Sequence, residues 1–134
     1  MKQLKLYTDG GSRGNPGPSA GAFVICDLED NVVETTGFFI GSGTNNIAEY
    51  TALLRGLEHC KQFGAEQLIV YLDSELVVRQ LNGEYKVKNA QLKPLHDQAK
   101  KMAADFQKIE FKHVPRAQNA LADAELNRIL DQNT

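Results

Sequence analysis

Cysteine is scarce in this 134-residue sequence, which contains two, Cys26 and Cys60. Their spacing fits neither a zinc-binding motif nor a disulfide framework, so we expect buried, reduced thiols in a cytoplasmic protein. Long apolar runs are absent as well, and no segment approaches the ~20 residues of a membrane span. Because a strand pattern begins almost at the first residue, we expect no signal peptide.

An excess of positive charge is also missing, because 15 lysines and arginines face 17 acidic residues and the formal net charge is −2. A protein dedicated to coating nucleic acid would be basic, so the composition argues against that class. It still allows an enzyme whose acidic groups are neutralised by metal ions. We find no internal repeat, low-complexity run or linker, and the length suits one core, so residues 1–134 are predicted to form a single domain.

Apolar periodicity predicts five strands and four helices. Three strands with short connections come first, which is typical of an antiparallel meander. Helices with apolar stripes then alternate with two further strands, the first of which is continuously apolar, as expected of a central strand. The predicted strands span residues 3–7, 21–26, 32–40, 68–72 and 109–113, and the predicted helices about residues 46–63, 74–81, 91–106 and 118–130.

This order of elements predicts an α/β fold. Right-handed crossovers make the fourth strand parallel to the first and the fifth parallel to the fourth. The result is a five-stranded mixed sheet in the order 3-2-1-4-5 with helices on both faces. The first and fourth strands are then neighbours, about 4.8 Å apart, so Asp9 and Asp73 are expected within reach of one metal ion.

Asp9 follows the first strand and precedes a glycine-rich stretch over residues 10–17. Glycine permits a positive φ and the close approach of another backbone, and it leaves the space around the carboxylate open. A solvated aspartate in a hairpin loop is the alternative interpretation of this stretch. Three further acids at comparable places in the fold, Glu49, Asp73 and Asp123, favour the functional one.

Each of those acids has an ordinary structural explanation. Asp73 precedes a helix and suits an N-cap, Glu49 stands three residues after Asn46 as in a capping box, and Asp123 suits a solvated helix face. Together, however, crowded carboxylates repel one another and shift their pKa values, and a divalent cation removes that cost. Carboxylate ligands favour Mg²⁺ or Mn²⁺ over zinc, so the pattern indicates a metal-dependent phosphoryl-transfer site.

The sequence resembles type 1 ribonuclease H (ribonuclease HI) over nearly its whole length. Four motifs carry the resemblance, in the order and at the spacing typical of the family. They are Tyr7-Thr8-Asp9-Gly10 with Gly14-Asn15-Pro16-Gly17, then Thr44-Asn45-Asn46-Ile47-Ala48-Glu49, then Asp73-Ser74, and then His113-Val114-Pro115-Arg116 with Asn119 and Ala122-Asp123.

The resemblance implies endonucleolytic cleavage of the RNA strand of an RNA–DNA hybrid, leaving a 5′-phosphate and a 3′-hydroxyl. It implies two Mg²⁺ ions held by Asp9, Glu49, Asp73 and Asp123. In this scheme Asp9 bridges both ions and Glu49 lies on the leaving-group side, near the 2′-hydroxyl that distinguishes RNA from DNA. His113 matches a mobile histidine that assists product release, although Arg116 or a purely structural histidine are open alternatives.

The resemblance also implies contacts to the hybrid. The expected contacts are Gly11, Ser12, Asn15, Asn45 and Asn46, with Arg13, Lys86 and Lys88 as basic partners; turn or cap chemistry is the alternative explanation for each asparagine.

Two features depart from many bacterial relatives: the basic helix and loop after residue 81 are missing, and Glu75 stands where several relatives have glutamine. Because phosphate contacts supply much of the affinity, we expect a monomer that binds hybrids weakly. Another nuclease of the superfamily, such as a resolvase or exonuclease, and a non-catalytic hybrid-binding module are the rival hypotheses.

Overall fold

Five strands form one mixed sheet in the computed structural model, which describes residues 2–134. The strand order is β3-β2-β1-β4-β5, as the sequence predicts. The elements are β1 (Gln3–Ser12), β2 (Gly17–Cys26), β3 (Val32–Gly43), α1 (Asn45–Gln62), β4 (Gln67–Leu72), α2 (Glu75–Leu81), α3 (Lys93–Ala103), β5 (Lys108–His113), a 3₁₀ helix (Arg116–Asn119) and α4 (Ala120–Gln132).

The register of the central strands decides where the acids lie. Strand β1 runs antiparallel to β2 and parallel to β4. The last parallel pair is Thr8 with Leu72, so Asp9 and Asp73 are the next residues of two adjacent strands. Strand β5 continues the parallel side and pairs its last residue, His113, with Leu72.

Helices cover both faces of the sheet. One face carries the larger core, in which Leu6 of β1 packs with buried residues of α1, α2 and α3 such as Leu57, Val77 and Ala99. The other face carries α4, whose apolar side packs on the small residues of β2. In the part of the chain that the structure describes, no helix is long and apolar enough to cross a membrane.

Strand β1 is longer than predicted and contains the first glycines of the glycine-rich stretch. The strand was predicted to end at Tyr7, but its pairing with β2 continues through Gly10 and Gly11 to Ser12. The turn that follows contains Gly14, whose φ of 90° is one that favours glycine. The prediction that Asp9 stands at a strand end was therefore wrong: Asp9 lies inside β1.

Two predicted helix starts also differ from the structure. Helix α1 is capped by Thr44, whose hydroxyl accepts a hydrogen bond from the Ile47 amide at 3.3 Å. Helix α2 is capped by Ser74, whose hydroxyl accepts from the Val77 amide at 3.3 Å. A hydroxyl two residues before the expected cap Asn46, and one residue after the expected cap Asp73, forms the standard cap geometry. These caps leave Glu49 and Asp73 free for other contacts.

The bounds of the later helices differ from the predicted ones. Helix α3 ends at Ala103, and residues 104–107 turn the chain so that the Gln107 amide donates to the carbonyl of Glu66 and starts β5. The predicted last helix is divided into the 3₁₀ helix and α4, which begins at Ala120. Both cysteines are buried and free, in agreement with the sequence analysis.

Candidate active site

Three carboxylates converge near the C-terminal ends of the neighbouring strands β1 and β4. Asp9, Glu49 and Asp73 each place a ligand oxygen so that the three oxygens lie within 4.8 Å of one another. Asp9 and Glu49 are buried, whereas Asp73 is half-buried. The parallel register brings Asp9 next to Asp73, and α1 brings Glu49.

Gly10 explains how α1 reaches the site. A Cβ atom at this position would lie 2.2 Å from the carbonyl oxygen of Ala48 and 2.5 Å from the Glu49 amide nitrogen. Only a residue without a side chain lets the helix backbone approach β1 this closely. The same contact allows the Gly10 amide to donate a hydrogen bond to the Glu49 carboxylate. Close backbone approach, rather than a special φ, is therefore what glycine provides at residue 10.

Asp123 joins the site from α4 on the other face. Its negative charge is close enough to raise the pKa of Asp9, and its two oxygens accept hydrogen bonds from Arg116 Nη2 at 3.1 and 3.4 Å. The Asp123 side chain is 24% exposed and the Arg116 side chain 74%. The solvated helix face expected of an isolated Asp123 is therefore not what the structure shows.

Asn119 supports the site from the end of the 3₁₀ helix. Its side chain is buried, and its Nδ2 donates to the carbonyl of Thr8 at 2.8 Å. The same side chain is hydrogen-bonded to Asp73. The amide thus connects β1, β4 and the start of α4 beside the carboxylates. From the sequence, Asn119 was assigned no role beyond the motif, and its position one helical turn before Asp123 was the available signal.

Crowding and burial raise the pKa values of the clustered acids. Burial, followed by the negative charges of Asp73 and Asp123, raises the pKa of Asp9 to about 7. Burial raises the pKa of Glu49 well above its usual range, with the charge of Asp9 as the next cause. Burial also raises the pKa of Asp73, although the hydrogen bond from Asn119 opposes that shift. The metal-free cluster therefore retains protons near neutral pH.

The residues present fit a divalent cation. The Oε2 atom of Glu49 is buried and has no hydrogen-bond partner, and an orphaned carboxylate oxygen is costly unless a ligand satisfies it. Carboxylate oxygens are the ligands that Mg²⁺ and Mn²⁺ prefer. Asp9, Asp73 and Asp123 also border an open cleft of about 350 Å³, so ions and a phosphodiester have access to these three acids.

The predicted substrate contacts divide into two groups. The first borders the cleft: Gly11, Ser12, Arg13 and Asn45 line it. Asn45 Oδ1 accepts hydrogen bonds from the Ser12 amide at 2.9 Å and from its hydroxyl at 3.3 Å, and Asn15 Oδ1 accepts from the Asn45 amide at 3.0 Å. The side chains thus fix the glycine-rich turn against the start of α1, next to the half-buried Asn46. The turn chemistry and a substrate contact can coexist at Asn15 and Asn45.

The second group lies elsewhere. Lys86 and Lys88 are exposed on the connection between α2 and α3 and do not line the cleft. Glu75, the predicted departure from the family pattern, accepts a hydrogen bond from Arg79 at 3.0 Å.

His113 and Arg116 occupy different surroundings. Arg116 lines the acidic cleft, whereas His113 lies in a separate recess beside α2, with Glu75, Arg79 and Glu84. Strand β5 carries His113 at the end of the sheet, and the following turn carries Arg116 back over the acids. The geometry favours Arg116 over His113 as the basic residue that acts at the carboxylates, and its role in turnover stays a prediction.

Comparison with known proteins places this arrangement in a family. A family profile described as reverse transcriptase-like matches residues 7–128. The crystal structure of RNase H1 from the halophilic archaeon Halobacterium salinarum superposes with a TM-score of 0.94 at 38% identity, covering 97% of this chain and 98% of that one. The chain belongs to the type 1 ribonuclease H family. Its five-stranded sheet is the ribonuclease H fold predicted from the sequence.

Two further relatives of this ribonuclease H chain come from other sources. The bifunctional protein Rv2228c of Mycobacterium tuberculosis is 44% identical over 130 residues, and its N-terminal RNase H domain superposes with a TM-score of 0.95, covering 98% of this chain and 96% of that one. LC11-RNase H1, solved in complex with an RNA/DNA hybrid, superposes with a TM-score of 0.92 at 40% identity, covering 97% of this chain and 98% of that one. The chain spans 36% of the length of Rv2228c and 65% of the 40%-identical Halobacterium salinarum ribonuclease HI.

Proposed function

We propose that this chain is a divalent-metal-dependent endoribonuclease that hydrolyses the RNA strand of RNA–DNA hybrids and leaves 5′-phosphate and 3′-hydroxyl ends. The observation that carries the proposal is the convergence of Asp9, Glu49 and Asp73 oxygens within 4.8 Å beside Asp123 in an open cleft. A relative 40% identical, LC11-RNase H1, was solved in complex with an RNA/DNA hybrid, which supports the choice of substrate.

Four carboxylates of this chain would hold two Mg²⁺ ions, with Mn²⁺ as an alternative. Asp9 belongs to the group with Glu49 and Asp73, and the negative charge of Asp123 also acts on it, so it is the group best placed to serve both ions. Bound divalent ions supply an activated water and charge stabilisation on the leaving oxygen. Glu49 comes from α1, whose first residue, Asn45, borders the cleft, so this side is the one we assign to the RNA sugar.

The glycine-rich turn would receive phosphate. Gly11, Ser12 and Arg13 border the cleft next to the acids, and Asn15 and Asn45 hold that turn in place. Backbone amides and short polar side chains position a nucleic-acid backbone without reading its sequence. The function we propose is therefore cleavage that depends on the hybrid's shape and sugars rather than on its bases. We further propose that the protein works as a monomer in the cytoplasm.

A substrate panel tests the proposal. The same RNA strand, 5′-labelled, is offered single-stranded, in duplex RNA and in an RNA–DNA hybrid, with Mg²⁺ or with a chelator. We expect cleavage only of the hybrid and only when Mg²⁺ is present. The RNA fragments should carry 3′-hydroxyl ends. Hybrid binding without cleavage in Mg²⁺ would support the non-catalytic binding module. Preferential cutting of the DNA strand, followed in a parallel reaction in which that strand carries the label, would support another nuclease of the superfamily.

A further inference from the structure

The carboxylates of the cleft have two kinds of surroundings. Asp9, Glu49 and Asp73 form a group whose ligand oxygens lie within 4.8 Å of one another, and Asp123 is not part of that group. Both oxygens of Asp123 instead accept hydrogen bonds from Arg116 Nη2, at 3.1 and 3.4 Å. The site thus contains a group of three carboxylates and a fourth carboxylate that is paired with the Arg116 guanidinium.

Arg116 has a fixed backbone and a free side chain. The turn before it is anchored because the Val114 amide donates to the carbonyl of Leu72 at 2.9 Å, and the 3₁₀ helix is anchored at its other end by Asn119 on Thr8. The Arg116 side chain is nevertheless 74% exposed. Its guanidinium can therefore leave Asp123 by side-chain rotation, without disturbing the backbone that supports the site.

The other basic residue of the cleft has different partners. Arg13 Nη2 donates to Asp131 at 2.6 Å, and its Nη1 donates to the Thr134 hydroxyl at 3.0 Å. Both partners lie at the far end of α4, away from the clustered acids. Two of the described residues that line the cleft are basic, Arg13 and Arg116. Of these two, Arg116 is the one that forms an ion pair with one of the four carboxylates.

We propose that Arg116 is a resident cation that competes with a divalent ion for Asp123. This inference rests on the proposed function, because it takes the four carboxylates as metal ligands. An ion bound by Asp9, Glu49 and Asp73 displaces no cationic side chain, because the ion pair recorded at the four carboxylates is the one between Arg116 and Asp123. An ion that uses Asp123 must replace the guanidinium, which occupies its oxygens and repels an incoming positive charge. The two ions therefore bind unequally, and Arg116 sets the weaker affinity.

Counting bound Mn²⁺ tests this competition directly. The free-ion signal in electron paramagnetic resonance gives the number of ions bound and both dissociation constants for the full chain without substrate. The variants are Arg116→Gln, which removes the charge and the fork of donors, and Arg116→Lys, which retains only the charge. Lys112→Gln is the matched control, because Lys112 is exposed and pairs with Glu110 at 3.4 Å instead of an acid of the cleft.

We expect Arg116→Gln to tighten the weaker Mn²⁺ site by about two- to fivefold, the range that an exposed ion pair supports. The tighter site should change less, Arg116→Lys should fall between Gln and the wild type, and Lys112→Gln should leave both constants near the wild type. Asp123→Asn should remove the weaker site in either background. Circular dichroism confirms that each variant is folded.

Three outcomes would overturn the inference. The weaker constant is unchanged in Arg116→Gln, or Lys112→Gln shifts it equally, or neither the wild type nor Arg116→Gln binds a second ion. These results leave the proposed function intact as long as one Mn²⁺ binds and the hybrid is cut. Absence of any bound Mn²⁺ together with absence of cleavage would instead contradict the proposed function itself.

Discussion

At the scale of single residues, Asp9 connects the electrostatics of the site to folding stability. Burial and the neighbouring acids raise its pKa to about 7 in the folded protein, whereas an aspartate in an unfolded chain titrates near 4. Between these values the folded protein binds a proton that the unfolded chain releases. The contribution of Asp9 to stability is therefore fully present below about pH 4 and is lost as pH rises through about 7.

Replacing Asp9 by asparagine should stabilise the metal-free protein at pH 7, by roughly 1–3 kcal/mol, because the amide cannot ionise in the buried cluster. The gain should shrink as pH falls towards 4. Urea denaturation with chelator present, at pH 5 and pH 7, measures both effects. Asp97→Asn is the control, since hydrogen bonding to His96 lowers the pKa of Asp97 and its loss should not stabilise. An Asp9→Asn protein less stable than the wild type at pH 7 would refute the electrostatic account.

Glu49 permits a second test at this scale, because the structure rules out the capping box that was the alternative to its predicted catalytic role. Thr44 caps α1, and Glu49 is the fifth helical residue rather than the third. Glu49→Gln should therefore leave the melting temperature unchanged or raised, since the buried carboxyl group has an elevated pKa. Its single-turnover cleavage rate should collapse. The control is Glu58→Gln on the exposed side of the same helix, which should alter neither quantity; a fully active Glu49→Gln enzyme would remove Glu49 from the catalytic set.

The sequence predicted which acids converge, but not how they are held. Asp9 and Asp73 follow paired residues of adjacent parallel strands, and a strand order alone was enough to place them together. The hydrogen bond of Asn119 to Thr8 joins residues 111 positions apart, and the grip of Arg116 on Asp123 depends on a turn conformation. Neither contact has a periodicity or a local motif that would reveal it.

At the scale of elements, the packing of α1 against β1 explains why the strand prediction failed. Glycine usually interrupts a strand pattern, so a break was expected after Tyr7. Here Gly10 and Gly11 pair with Gly21 and Ala20 of β2, and the missing side chain of Gly10 makes room for the α1 backbone. The need for glycine at residue 10 comes from its contact with Ala48 of α1, 38 residues later in the chain, and the local sequence does not reveal it. Strand order and helix number were nevertheless correct, because they follow from element order.

Gly10→Ala should therefore be severely destabilising, because its Cβ would lie 2.2 Å from the Ala48 carbonyl oxygen. Overpacking against a fixed backbone costs at least about 1–3 kcal/mol, and α1 would move away together with Glu49. Gly11→Ala is the matched control, since its Cβ would meet Leu126 at an ordinary 3.5 Å. Thermal unfolding of both variants measures the difference. Equal melting temperatures would show that the close approach of the α1 backbone to Gly10 is not needed for stability.

At the scale of the whole molecule, charge limits how strongly a hybrid can bind. The net charge is −2, Arg13 is engaged by Asp131 at 2.6 Å, and Lys86 and Lys88 lie on an exposed connection away from the cleft. Few phosphates can then be neutralised by side chains. Metal ions bound to the acids would reverse the local charge and attract phosphate instead, so binding should depend on metal.

Hybrid affinity should accordingly be weak and only mildly sensitive to salt. Three basic contacts give a log–log slope no steeper than about −3, at about −0.9 per phosphate as for B-DNA. Binding of a hybrid to Asp123→Asn, titrated across salt with Ca²⁺ or with chelator, measures the slope and the metal effect. Because Lys86 and Lys88 lie outside the cleft, removing both should flatten the slope by at most about two units. A tight complex with a steep slope and no metal dependence would reveal a basic surface that the structure does not display.

The central claim is that the clustered carboxylates catalyse cleavage of RNA in hybrids. Its most direct test is the single-turnover cleavage rate of one labelled RNA–DNA hybrid in Mg²⁺. The rate is compared between the wild type and Asp9→Asn at the same saturating protein concentration. Asp9 contacts both Glu49 and Asp123, so its loss should lower the rate by roughly a thousandfold or more while the protein stays folded. A folded Asp9→Asn protein that cuts the RNA strand at the wild-type rate would contradict the account.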